Sequence, residues 1–155
     1  MGKRCKRAAL LALLVASAGC VAERSDVIDV ADDDPIMVKA IDDARATVDQ
    51  FIAALKSPKP AQNGLSVKAL VEEGETGEHM WLTSLSYADG VFTGTINNAP
   101  AALTSIKFGD QFTVPKDEIS DWMFIEGGKL VGGYTIRALI ELSPDDVPPL
   151  PFEID

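Results

Sequence analysis

Residues 78–96 read EHMWLTSLSYADGVFTGTI, two alternating apolar and polar segments on either side of Tyr87-Ala88-Asp89-Gly90. Asp-Gly between such segments signals a tight hairpin, because the favoured two-residue turn needs positive φ at both central positions. The same grammar recurs along the chain. Gly127-Gly128 divides SDWMFIE from KLVGGYTIRALIEL, and Glu73 to Gly77 joins SVKALVE to EHMWLTS. Gly109-Asp110 turns a short TSIKF into QFTVP. The period-two region from Leu65 onward therefore predicts five or six antiparallel strands in meander order.

Upstream of the strands the period is helical. Asp34-Pro35 offers a capping carboxylate followed by a residue that needs no amide partner. Met37, Ile41, Ala44, Val48, Phe51, Ile52 and Leu55 then recur at three- and four-residue steps, with Lys39, Asp42, Asp43, Asp49 and Gln50 on the opposite face. Pro58 and Pro60 stop this helix by Ser57, since each restricts the residue before it and removes a donor. The predicted class is α+β: one amphipathic helix packed on an antiparallel meander sheet. Gly94, Gly132 and Gly133 interrupt strand patterns, where bulges and sharp bends occur, and so also fit a partly open barrel.

The flanks have a different character. Lys3, Arg4, Lys6 and Arg7 precede an apolar run, Ala8 to Ala16, and then the small residues Ser17, Ala18 and Gly19. Residues 1–19 are expected to be an export signal. The run is too short for a membrane-spanning helix, which needs roughly 20 apolar residues. Ser17-Ala18-Gly19-Cys20 resembles the bacterial lipobox, in which the cysteine carries lipid, although Ser17 stands where that pattern usually has Leu. Ala16-Ser17-Ala18 also fits ordinary signal cleavage, the route to a soluble periplasmic or secreted protein. Cys5 leaves with the signal, so lipidation of Cys20 would remove an orphan thiol from an oxidising compartment. Residues 20–33 read as an acidic tether, 34–142 as the domain, and 143–155 as a tail in which four prolines exclude a regular helix.

Charge and composition narrow the function classes. The 155 residues carry 14 Lys plus Arg against 24 Asp plus Glu, a net charge of −10. Such a chain has no electrostatic grip on nucleic acid. Removing residues 1–19 takes four basic residues and no acidic ones, leaving ten against twenty-four. One histidine and two cysteines exclude the common zinc patterns, and no cofactor-binding motif or phosphate-cradling glycine loop is present.

The succession Asp34-Pro35, amphipathic helix, Pro58-x-Pro60, Ser66-Val67-Lys68, Glu78-His79-Met80-Trp81-Leu82, Gly94-Thr95-Ile96-Asn97-Asn98-Ala99-Pro100, Ile119-Ser120-Asp121-Trp122-Met123 and Gly132-Gly133-Tyr134-Thr135-Ile136-Arg137 resembles the bacterial YegJ-like family, a domain of unknown function. The resemblance spans about residues 34–140. It implies a small α+β domain, often exported, without an established activity.

Six polar residues form the candidate ligand site: His79, Asn97, Asn98, Asp121, Thr135 and Arg137. Read as strands, the segments place Asp121 on one face with Ile119 and Met123, and they put Asp121 and Arg137 on hairpin partners, where the two charges can pair across the ladder. Trp81 and Trp122 are expected in the core, and Asn97-Asn98 in turn hydrogen bonds. The principal functional expectation is a noncatalytic binding or interaction module, lipid-anchored through Cys20 in the bacterial envelope. Its expected partners are the membrane and an unidentified protein, peptide or small anionic ligand, with no metal and no nucleic acid. The alternative is a small hydrolase or transferase centred on His79 with Asp121 and Arg137.

Overall fold

The computed structural model describes residues 5–9, 27–31 and 33–155. Asp34 caps the long helix α1, Pro35–Lys56, its carboxylate accepting from the Ile36 and Met37 amides at 2.9 and 3.2 Å. The helix stops at Ser57, one residue before Pro58. Its buried positions, Met37, Ala40, Ala44, Val48, Phe51 and Ile52, recur at helical spacing along one stripe.

Strands β1 (Cys5–Ala9) and β2 (Val27–Ala31) pair with each other. They fall in the stretches expected to be export signal and tether, so they describe the chain with its leader attached. Six further strands form the sheet of the domain: β3 (Gln62–Glu73), β4 (Thr76–Ala88), β5 (Val91–Ile96), β6 (Gln111–Pro115), β7 (Ile119–Glu126) and β8 (Lys129–Gly132). Their hydrogen-bonded order is β6-β5-β4-β3-β7-β8, every pair antiparallel. The sheet curls into a half-barrel. β4 carries the curl: β5 runs beside its second half, with Leu82 opposite Ile96, while β1 runs parallel beside Glu78 and His79. The α+β class with an antiparallel sheet of six strands is as expected, and so are the Asp89-Gly90 and Gly127-Gly128 hairpins, all four residues having positive φ; the order departs from a meander at β7, which returns to pair with β3 instead of β6.

Apolar side chains collect in two clusters. One holds Phe51, Val67, Ala69, Ile119, Trp122 and Phe124; the other holds Met37, Ala40, Trp81, Met123, Ile136 and Leu139. Helix α1 feeds both, its first turns the second cluster and its later turns the first. Trp81 and Trp122 are both fully buried. Alternate residues of β3 divide between the faces, Val67 and Ala69 toward the first cluster and Lys68 toward the other side, as the two-residue period requires.

Three expectations from the sequence are corrected. YTIRALIEL is not strand but the helix α2, Tyr134–Leu142. Gly132 and Gly133 end β8 in left-handed conformations, φ +74° and +64°, after which Thr135, Ile136, Ala138 and Leu139 bury one helical face. TSIKF is not strand either. Glu73 holds it as a loop, its carboxylate accepting from the Thr104 amide and hydroxyl at 2.7 and 2.6 Å and the Ser105 amide at 3.0 Å, and these donors hold its pKa down to about 2. The third correction concerns β7, where Asp121, Ile119 and Met123 do not share a face. The register against β3 shifts between Lys68–Asp121 and Ala69–Ile119, a bulge that turns Ile119 to the first cluster while Met123 stays in the second.

Gly132 is the position least tolerant of a side chain, since a Cβ there would collide with the Trp122 carbonyl oxygen and indole ring. Gly128, φ +86°, has nothing within 4 Å of the same atom. Gly132→Ala is expected to cost about 3 kcal/mol or more and Gly128→Ala about 1 kcal/mol, read from denaturant midpoints. Equal losses would show that φ alone governs both sites.

Candidate functional site

Asp121 is completely buried on β7, and every contact of its carboxylate is a donor. The Trp122 amide reaches Oδ1 at 2.8 Å and the Tyr134 amide at 3.0 Å, while the Thr135 amide and hydroxyl reach Oδ2 at 2.8 and 2.6 Å. Gly133, the residue preceding α2, has no side chain to cap the helix, so Asp121 supplies the cap from another element, at the end where the helix dipole favours negative charge. Three of the four contacts are backbone amides, which can only donate, an arrangement that suits a carboxylate. Burial pushes its pKa up, opposed first by the Lys68 ammonium and then by the Thr135 and Trp122 donors.

Lys68, directly opposite Asp121 on β3, is the counter-charge. It is 1% exposed. Its Nζ donates to Thr135 Oγ1 at 2.7 Å, so the chain Lys68 to Thr135 to Asp121 is continuous, and Nζ also lies 4.9 Å from the Trp81 ring centroid. Burial lowers the Lys68 pKa from 10.5 to about 8, with Asp121 pulling the other way. Lys68 has three N–H donors and, among the described residues, one hydrogen-bond acceptor.

The unfilled side of Lys68 borders a cavity of about 380 Å³ between the sheet, the first turns of α1 and β6. Lys68, Thr135, Ser120 and His79 line it together with Arg45, Glu72 and Glu118, and Met37, Ile41, Leu70, Phe112 and Val114 form apolar wall. Arg45 is positioned by the hydrogen bond from its Nε to the Ile119 carbonyl, 2.8 Å. His79 Nδ1 and Ser120 Oγ are 2.9 Å apart, with both side chains on the cavity. Arg45, Glu72 and Glu118 are exposed at the mouth, whereas Lys68, Ser120 and Thr135 are buried at the inner end.

Of the six residues singled out in the sequence, His79, Asp121 and Thr135 belong to this region. Arg137 does not. Its guanidinium reaches the carbonyls of Gly132, Leu130 and Asp155 at 3.2, 3.1 and 3.0 Å, and the expected Asp121–Arg137 pair is absent. The reason is the change of element: two residues apart on a helix means about 200° around its axis, so Thr135 faces Asp121 while Arg137 faces the tail. Asn98 is buried and structural, Oδ1 accepting the Trp81 amide at 2.8 Å. Asn97 donates its amide to the Trp81 carbonyl at 2.8 Å and lines a separate cavity of about 260 Å³ beside Pro151 and Phe152. Both bonds run across to Trp81 on β4, where turn hydrogen bonds within the Asn97-Asn98 segment were expected. Cys20 lies outside the described residues. Among the described residues no cluster of three metal-ligating side chains occurs, and no helix is long and apolar enough to cross a membrane.

Lys68, Ser120 and Arg45 were not singled out. Lys68 had a signal: it is the one charge between Leu65 and Val71, a stretch otherwise apolar except for Ser66. Ser120 had none, because its direction depends on the bulge.

The model of the family described as an uncharacterized protein conserved in bacteria, DUF2314, matches residues 34–146. The uncharacterized protein YegJ of Escherichia coli K12 is 35% identical over 138 residues, 88% of this chain and 89% of its own. A putative ankyrin repeat protein of Neisseria meningitidis serogroup B is 46% identical over 69 residues, 44% of this chain and 27% of its own. No solved structure matches.

Removing one member of the buried pair isolates the other in low dielectric. Lys68→Met is expected to cost about 3–5 kcal/mol, and adding Asp121→Asn to return part of that loss, measured as a double-mutant cycle in urea. Additive losses would mean that the charges do not interact. The pH dependence has a definite sign. Between about pH 8 and 10.5 the unfolded chain holds the Lys68 proton more tightly than the folded one, so stability should rise across that window by at most about 3 kcal/mol relative to the double variant.

Proposed function

Because this chain belongs to the DUF2314 family of uncharacterized bacterial proteins, we propose from its own geometry that it is a ligand-binding module of the cell envelope whose cavity holds a small carboxylate. The observation that carries the reading is Lys68: an ammonium buried at the inner end of a cavity with, among the described residues, one hydrogen-bond acceptor for three N–H groups. Charged N–H groups buried without acceptors are costly, and a carboxylate oxygen placed against Nζ would satisfy one with a charge-assisted bond beside that to Thr135. Ser120 and His79 add polar contacts beside it, and Arg45 a second cation at the mouth. Glu72 and Glu118 at the same mouth oppose a dianion, which favours a monoanionic carboxylate over a phosphate. Apolar wall from Leu70, Phe112 and Val114 suits a short hydrocarbon portion.

The envelope location rests on the basic, apolar and small-residue order of residues 1–19 and on Cys20. In this reading Cys20 carries the lipid, and the acidic segment after it spaces the domain from the membrane. Cys20→Ala should then move the protein from the membrane fraction to the soluble fraction of cells. Sedimentation unchanged by the substitution would favour another mode of attachment, and a soluble wild type would favour cleavage without lipid.

The cavity is tested with acetate as probe. Titrated into the full chain, acetate should raise the melting temperature in a saturable manner, whereas sodium chloride at equal ionic strength should not. Lys68→Gln should abolish the acetate-dependent rise, and Arg137→Gln, outside the cavity, should retain it. A rise that persists in Lys68→Gln overturns the assignment.

A further inference from the structure

The bulge in β7 does something that the alternation of a strand forbids. Ile119 and Trp122 belong to the first apolar cluster, so the two residues between them, Ser120 and Asp121, both point away from it. Asp121 meets Thr135 and Lys68, and Ser120 meets His79 on the cavity. Bulges re-aim side chains in this way beside reactive sites. The hydroxyl sits 2.9 Å from an imidazole nitrogen, within reach for proton transfer, and the Lys68 ammonium, with one acceptor among the described residues for its three donors, borders the same space. Asp121 holds Thr135 and Lys68, while Ser120 and His79 meet each other on the cavity.

We infer that Ser120 and His79 form a nucleophile and base pair that transfers the acyl group of small carboxylic esters, using the cavity assigned above to carboxylates. The inference rests on that reading, since the carboxylate is the acid product of the same site. In the first step Ser120 Oγ attacks the ester carbonyl carbon while His79 Nδ1 takes the hydroxyl proton. The tetrahedral oxyanion lies where Lys68 can neutralise it. The bond to the alcohol oxygen then breaks, His79 returns the proton to that oxygen, and Ser120 is left acylated. Water attacks the acyl-serine with His79 again as base, releasing the carboxylic acid and restoring the hydroxyl. No oxidant, metal or further reactant enters the balance.

The probe is p-nitrophenyl acetate, with the full chain. The wild type should release p-nitrophenol in a burst no larger than the protein concentration, and mass spectrometry of the quenched protein should place one acetyl group on Ser120. Ser120→Ala should abolish both. His79→Gln, which fills the same space, should slow the burst by about 10²-fold or more, the range a general base contributes. Melting curves establish that both variants fold. A burst unchanged by Ser120→Ala, or acetyl found on lysines instead, overturns the inference. If acetate binds but no acyl-serine forms, the ester chemistry fails and the carboxylate site stands. If acetate does not bind either, both fail.

Discussion

The Asp121 carboxylate is the point on which the domain's last third depends. Four donors converge on it from three residues, two of them the first amides of α2. A buried anion of this kind is unfavourable unless its charge and lone pairs are answered locally. The Lys68 ammonium, relayed through the Thr135 hydroxyl, answers the charge, and the helix N-terminus answers the lone pairs. The result fixes β7 and α2 relative to one another through backbone amides that cannot move independently of their elements, and β3 to both through the Lys68 side chain.

That same arrangement produces the cavity. Lys68 must be buried to reach Thr135, which brings an ammonium to the inner end of a space bounded by α1 and β6. Gly132 and Gly133 allow α2 to begin close against Trp122, the Gly133 amide reaching the Trp122 carbonyl at 2.8 Å. Trp122 in turn donates from its ring to the Ala44 carbonyl at 2.9 Å and so ties the sheet to α1. Stability and site are therefore built from the same contacts, and a substitution that loosens α2 also disturbs the polar end of the cavity.

The carboxyl-terminal tail has a part that its composition conceals. Glu153 bonds to β8 through its amide to the Gly128 carbonyl and its carbonyl to the Leu130 amide, both 2.9 Å, and Asp155 pairs with Lys129 at 2.8 Å. Arg137 reinforces the same attachment. The tail thus occupies hydrogen-bonding groups of a sheet edge that would otherwise lie open to another chain. The acidity of this extension and of residues 23–34 also means that the net charge describes the ends more than the cavity, where cations and carboxylates are mixed.

Local patterns in the sequence determined much of this protein. The Asp34 cap, the stripe from Met37 to Ile52, the Pro58 stop and the Asp89-Gly90 and Gly127-Gly128 hairpins each follow from interactions within a few residues, which any tertiary context preserves. They were enough for the α+β class and for the placement of both tryptophans. Local pattern misjudged YTIRALIEL, whose β-branched and aromatic start after a strand hides a helix that is capped from outside by Asp121. It also missed Lys68 and Ser120 and misdirected Arg137. A buried ammonium is decided by a partner 53 residues away in sequence, and the direction of Ser120 by a one-residue shift in the register of β7 against β3. Neither quantity exists until the strands are paired, which is why the residues of the cavity belong to the tertiary structure and the elements that enclose it to the sequence.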